Sequence, residues 1–189
     1  MKKTIPAVLI LILLSMMFLP AQSADNSAIE TIINNFSPRN FAAGDVTKAQ
    51  IDQIVQAGIR APSASNRQPW HFTVVQDQRL EKRILSQAND GNILIFVSAS
   101  GDGKTNGSVI LDCALAVQSM YLAAQALGLA SRIYTGPIDV VNSRFKTDLD
   151  LPRNHNAIAF VRIGRMPTGV DAVTSASSRN NIDRMVTFK

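Results

Sequence analysis

Between Ala61 and Trp70 the chain reads Ala-Pro-Ser-Ala-Ser-Asn-Arg-Gln-Pro-Trp, a small polar loop with two prolines. Pro62 drives Ala61 out of helical geometry, and Pro69 does the same to Gln68. The stretch therefore joins a helix end to a strand over His71–Gln76. Its backbone amides and the side chains of Ser63, Ser65 and Asn66 are expected to be free for a polar ligand. Trp70 can anchor the loop by burying a large ring. An ordinary capped turn is the competing reading of the same composition. Other chemistries find less material. His71 and His155 are not spaced as metal ligands and have no cysteine or carboxylate cluster beside them. No Ser-His-Asp set is legible. Gly101–Gly107 contains a lysine but does not fit phosphate-loop spacing.

The pattern Pro62-Ser63-x-x-Asn66-x-Gln68-Pro69-Trp70 resembles the flavin-binding loop of the FMN-dependent nitroreductase family. The resemblance extends from about Ala28 to Phe188. It implies that Ser63 and Asn66 contact the flavin ring and ribityl chain while Gln68 shapes the loop. Ser37 and Arg39 match the family's early phosphate-binding pattern, although a basic residue common two places before the serine is Asn35 here. Thr135 and Gly136 resemble the second ring-contact element, whose backbone amides face the flavin N5 region and favour reduced flavin. Arg179 matches the late arginine near the phosphate. Asp171-Ala172-Val173-Thr174-Ser175-Ala176-Ser177 resembles the flavin-transferase target D-x-x-[ST]-G-A-[ST], with serine where glycine is usual. That likeness makes Ser177 a candidate for covalent FMN attachment; a flexible Ser/Thr/Ala-rich linker is the alternative.

The elements that must position these residues follow from periodicity. Ala28–Phe36 carries a helical apolar stripe. Thr47-Lys48-Ala49-Gln50 is a capping-box pattern, opening a helix with Ile51, Ile54, Val55 and Ile59 on one face. Gln78–Gln87 is a short charged helix. Asn92–Ser98 is an apolar run suited to a strand buried on both faces. Ser108–Leu127 is a helix apolar nearly all round, hence central or at an interface, and Gly128 closes it. Ser131–Tyr134 and Asn156–Gly164 are strands, with a helix over Val140–Leu149 between them. Cys113, the only cysteine, falls in the apolar helix as a core residue. This order gives an α+β domain with helices on a sheet. The family likeness implies a mostly antiparallel sheet, a homodimer with FMN between the subunits, and a C-terminal extension swapped to the partner.

Residues 1–23 read as a signal peptide: Lys2 and Lys3, an apolar run from Ile5 to Leu19, then small residues at Ala21 and Ser23. An uncleaved anchor is the rival reading, and residues 24–189 form the FMN-binding domain. The formal charge of +5 includes Lys2 and Lys3. The remaining scattered bases do not call for nucleic acid.

These readings converge on an exported, periplasmic or extracellular flavoenzyme that reduces small nitroaromatic, quinone or flavin acceptors by ping-pong electron transfer. Nicotinamide donors are not expected outside the cytoplasm, so a membrane-linked donor is expected instead. An extracytoplasmic electron carrier, with no small substrate of its own, is the second function class. A family member that binds no flavin is the third.

Overall fold

A computed structural model describes residues 27–100, 107–171 and 175–189. The expected signal peptide lies outside the described residues. Helices α1 (Ser27–Ile33) and α2 (Lys48–Ile59) lead through a 3-10 turn (Ala64–Asn66) to β1 (Trp70–Val75). There follow α3 (Gln78–Ile84), β2 (Ile93–Ser100), α4 (Gly107–Ala126), β3 (Leu129–Tyr134), α5 (Ile138–Arg144), β4 (His155–Arg165) and α6 (Ile182–Met185). The four strands form one sheet in the order β1-β2-β4-β3. The β1–β2, β2–β4 and β3–β4 pairs are all antiparallel.

The apolar run of β2 explains the layers. Ile93, Ile95, Val97 and Ala99 pack with α2 and α4, through Ile51, Ile54, Cys113, Val117 and Met120. Leu94 and Phe96 face the other way, onto Val141, Phe145 and Leu149. Both faces are covered, so alternation disappears from the sequence. The capping box forms as expected, with Thr47 and Gln50 exchanging side-chain and backbone hydrogen bonds. Gly128 takes a φ of +72° after α4, a conformation that costs glycine little. Three helices are shorter than periodicity suggests; the one expected over Gln78–Gln87 ends at Ile84. Val140–Leu149 ends as a helix at Arg144, while Phe145 and Leu149 stay buried on successive turns. Helix α1 stops at Ile33, and its Ile29, Ile32 and Ile33 face outward, not into this subunit's core.

Cys113 is fully buried. Burial, reinforced by neighbouring Asp112, pushes its thiol up to about 11. Native protein is therefore expected to react with a thiol reagent only after unfolding, as a timed labelling assay in urea checks.

Arg162, which sits among alternating apolar residues in the sequence, is the largest fully buried side chain among the described residues. Its Nε donates to Asn92 Oδ1 at 2.9 Å and its Nη2 to the Gln87 carbonyl at 2.7 Å, and its guanidinium lies 4.1 Å from the Phe41 ring centroid. Arg162 Nη1 and the Oε1 of fully buried Glu81 have no hydrogen-bond partner among the described residues. Burial, aided by Asp77, raises the Glu81 carboxyl from 4.5 to about 7, against the opposing pull of Arg162, Gln78 and Lys82. Between those values the folded protein holds a proton that the unfolded chain has lost. This contribution is complete below about 4.5 and is lost as pH rises through about 7. Glu81→Gln should remove a stability decline of order 3 kcal/mol between about pH 5 and about pH 8, as paired denaturant melts would show.

Candidate functional site

The Ser63–Gln68 loop is held by the first turns of α4. Buried Asp112 accepts the Ala64 N–H at 2.9 Å through Oδ1 and Arg67 Nη2 at 3.3 Å through Oδ2. The same Arg67 nitrogen donates to Ser108 Oγ at 2.8 Å, and Arg67 Nε to the Ala64 carbonyl at 3.1 Å. Sequence reasoning missed both Arg67 and Asp112. The available signal was one carboxylate in the second turn of an otherwise apolar helix, a group that must find a cation or amide when buried.

The expectation of free loop amides is corrected. The N–H groups of Asn66 and Arg67 bond to the Ser63 and Ala64 carbonyls, and Gln68 N–H donates to Ser63 Oγ at 3.0 Å. Such a tight loop consumes its own donors because it has no regular ladder to satisfy them. Left to face outward are the Ser63 hydroxyl hydrogen, Ser65, and the Asn66 amide, whose Oδ1 accepts Gln68 Nε2 at 3.2 Å. Ser65, Asn66 and Gln68 all have positive φ, +52°, +53° and +46°. Each such residue costs about 1–2 kcal/mol unless its surroundings enforce it. Asp112 and Arg67 supply that enforcement. Trp70 leaves the loop half-buried, its ring 6.3 Å from that of Phe72.

A second group forms elsewhere. Ser37, Arg39, Ser175 and Ser177 line one cleft of about 330 Å³, floored by Phe36, Pro38, Pro167 and Val170. The early phosphate-binding candidates Ser37 and Arg39 and the candidate attachment residue Ser177, far apart in sequence, thus share one cleft. Arg179 lies beside them, its Nη1 donating to the Ser177 carbonyl at 2.7 Å. Gln125 near the C-terminal end of α4 clamps the early segment, accepting the Phe36 N–H at 3.0 Å and donating to the Phe36 carbonyl at 2.8 Å. Asn35, where a basic residue was looked for, accepts Tyr121 OH at 2.9 Å and so braces the same segment.

Thr135 and Gly136 follow β3, exposed, and a Cβ on Gly136 would meet nothing within 4 Å. An incoming planar group can therefore approach that backbone closely.

One subunit does not unite these three groups. Asp112 and Gln125 are 13 residues apart on α4, so the two clamped segments lie about 20 Å apart along it at 1.5 Å per residue. Thr135 and the Trp70 loop leave opposite edges of the sheet, three strand spacings or about 14 Å apart. Among the nine candidate residues only Ser63 is even half-buried.

The structure also pairs two histidines that looked unrelated in sequence. His71 and His155 rings stand 6.1 Å apart across β2, with Ser98 Oγ 3.3 Å from His155 Nδ1. Burial, with the neighbouring His71, lowers the His155 pKa. Two imidazoles are too few for a closed metal site. A separate cleft of about 540 Å³ runs along β1 to Asp148–Asp150 and includes none of the candidate flavin residues.

Comparisons with known proteins are consistent in direction. A model of the nitroreductase family matches residues 34–95 and 88–165. An Archaeoglobus fulgidus protein, provisionally named NADH dehydrogenase/NAD(P)H nitroreductase, is 29% identical over 167 residues, covering 83% of this chain and 95% of its own. A Desulfitobacterium hafniense nitroreductase crystallised with bound FMN has the same fold, with a TM-score of 0.72 at 21% identity over 87% of this chain and 98% of that one. A Parabacteroides distasonis structure, provisionally named NADH dehydrogenase/NAD(P)H nitroreductase, gives 0.68 at 26% identity over 86% and 98%.

Proposed function

This chain belongs to the nitroreductase family, and on that premise we propose that it is an FMN-dependent oxidoreductase acting on small nitroaromatic, quinone or flavin acceptors. The observation that carries the proposal is the meeting of Ser37, Arg39 and Ser177 in one cleft with Arg179 at its side. Hydroxyls and guanidinium groups are the donor set a phosphate monoester needs. The residues present thus fit FMN, which supplies the ability to take electrons from one partner and pass them to another in ping-pong fashion. Ser37, Arg39 and Arg179 bind the phosphate. Ser63 and Asn66 hold the ring edge and ribityl chain, on a loop whose shape Gln68 and Asp112 fix. Thr135 and Gly136 offer backbone against the ring. Purified protein should carry oxidised-flavin absorbance, and reoxidation of the chemically reduced flavin by a quinone or nitroaromatic acceptor tests the activity without presuming the donor.

The working unit we propose is a homodimer, because the three groups of site residues are too far apart within one copy. The uncovered apolar surface supports this. Leu111 and Leu115 on α4 are 67% and 44% exposed, and Ile182, Met185, Val186 and Phe188 in the C-terminal segment are exposed together. Burying them at about 25 cal/mol per Å² is a strong drive to associate. The C-terminal segment is proposed to cross to the partner subunit. Leu111→Glu with Leu115→Glu is expected to give a monomer by light scattering and to abolish flavin retention. A monomeric variant that stays fully flavinated would sink the dimer reading.

Export to a periplasmic or extracellular location is proposed on the pattern of residues 1–23, with a membrane-linked electron donor in place of a nicotinamide. Sequencing the mature N-terminus from an extracytoplasmic fraction should begin at Ala24. The carrier reading, without a small substrate, predicts slow turnover with every acceptor and fast exchange with a redox protein.

A further inference from the structure

We propose that Ser177 is a covalent attachment site for FMN, joined to the cofactor through its phosphate. The inference rests on the flavin reading above. Three features carry it. The Ser177 residue is exposed and lines the same cleft as Ser37 and Arg39. A phosphate seated there lies next to the Ser177 hydroxyl, so esterification leaves the ring's position unchanged. Arg179 Nη1 bonds to the Ser177 carbonyl at 2.7 Å, which places a second guanidinium beside the acceptor. A phosphodiester keeps one negative charge, and Arg39 and Arg179 compensate it.

Ser177 is preceded by Ala176 and lies six positions after Asp171. The Ser175 N–H donates to the Asp171 carbonyl at 3.0 Å. Residues Ala172, Val173 and Thr174 of the sequence pattern lie outside the described residues.

The step requires FAD as co-substrate and a flavin transferase as catalyst. Ser177 Oγ attacks the phosphorus on the FMN side of the FAD pyrophosphate. The serine O–P bond forms, the bridging P–O bond breaks, and AMP departs with the bonding electron pair. The hydroxyl proton passes to a base on the transferase. No electron is gained or lost. The product replaces a dissociable cofactor with a tethered one, whose local concentration no longer depends on free flavin.

The test incubates the full-length chain with a bacterial flavin transferase, FAD and magnesium, then denatures it. The expected result is an intact mass raised by one FMN less one water, flavin fluorescence on a denaturing gel, and peptide mapping of the adduct to Ser177. Ser177→Ala should give no adduct, and Ser177→Thr should restore it because the hydroxyl returns. Ser175→Ala should still be modified. No adduct on protein that takes up free FMN overturns this inference and leaves the flavin reading standing. An adduct mapped to another residue overturns it equally. Protein that takes up flavin in neither form overturns both.

Discussion

Replacing Arg39 and Arg179 together by glutamine is expected to weaken FMN binding about a thousandfold, while riboflavin binding changes little. Each arginine offers the phosphate a charge-assisted hydrogen bond worth roughly 1.5–3 kcal/mol, or about 10- to 100-fold in affinity. The two lie on different segments, one in the cleft wall and one beside Ser177. They can act on the same phosphate without competing for the same oxygen. Riboflavin lacks the phosphate, so it isolates that contribution from the ring contacts. Flavin-fluorescence titration of wild type and variant with both ligands makes the measurement. Equal losses for FMN and riboflavin would mean that the arginines maintain the fold of the segment and do not read the phosphate. The wild-type FMN affinity should also fall with added salt, since the cleft is open to solvent in one subunit.

Asp112→Ala should cost about 2–3 kcal/mol in stability and at least about tenfold in flavin affinity. The carboxylate is the common partner of Ala64 N–H and Arg67. Removing it leaves Arg67 only its bonds to Ser108 and the Ala64 carbonyl, takes the acceptor from the Ala64 N–H, and frees a loop with three non-glycine residues at positive φ. Those residues relax toward ordinary conformations once nothing holds them. Ser63 and Asn66 then no longer present themselves together. Asp112→Asn is the informative partner. Its carbonyl oxygen can still accept the Ala64 N–H but carries no charge for Arg67, so an intermediate loss is expected. Urea melts and flavin titration read the two effects separately. A variant as unstable as predicted but with unchanged flavin affinity would remove this loop from the binding site.

Local order was legible in the residue sequence because local causes set it. The capping box at Thr47–Gln50, the glycine after α4 and the prolines around the Ser63–Gln68 loop act over a few bonds, and each formed. Two-sided burial of Ile93–Ala99 was also readable, since a strand covered on both faces needs apolar residues at every position. The pairing of Ser37 and Arg39 with Ser177 was suggested by resemblance to a family, not by spacing, and the fold brings them into one cleft.

What only the tertiary structure decided are relations between distant residues. Nothing near Arg162 in sequence announces that it will be buried on Phe41 with Glu81 raised toward neutrality beside it. Nothing near Arg67 points to Asp112. Helix boundaries moved for the same reason: Phe145 and Leu149 keep their places in the core on turns, so burial did not require a continuous helix. The outward apolar stripe of α1 makes the general point. An amphipathic pattern specifies that a face must be covered, but not by which surface. Contact energy depends on three-dimensional proximity, and a one-dimensional pattern encodes only the demand for it.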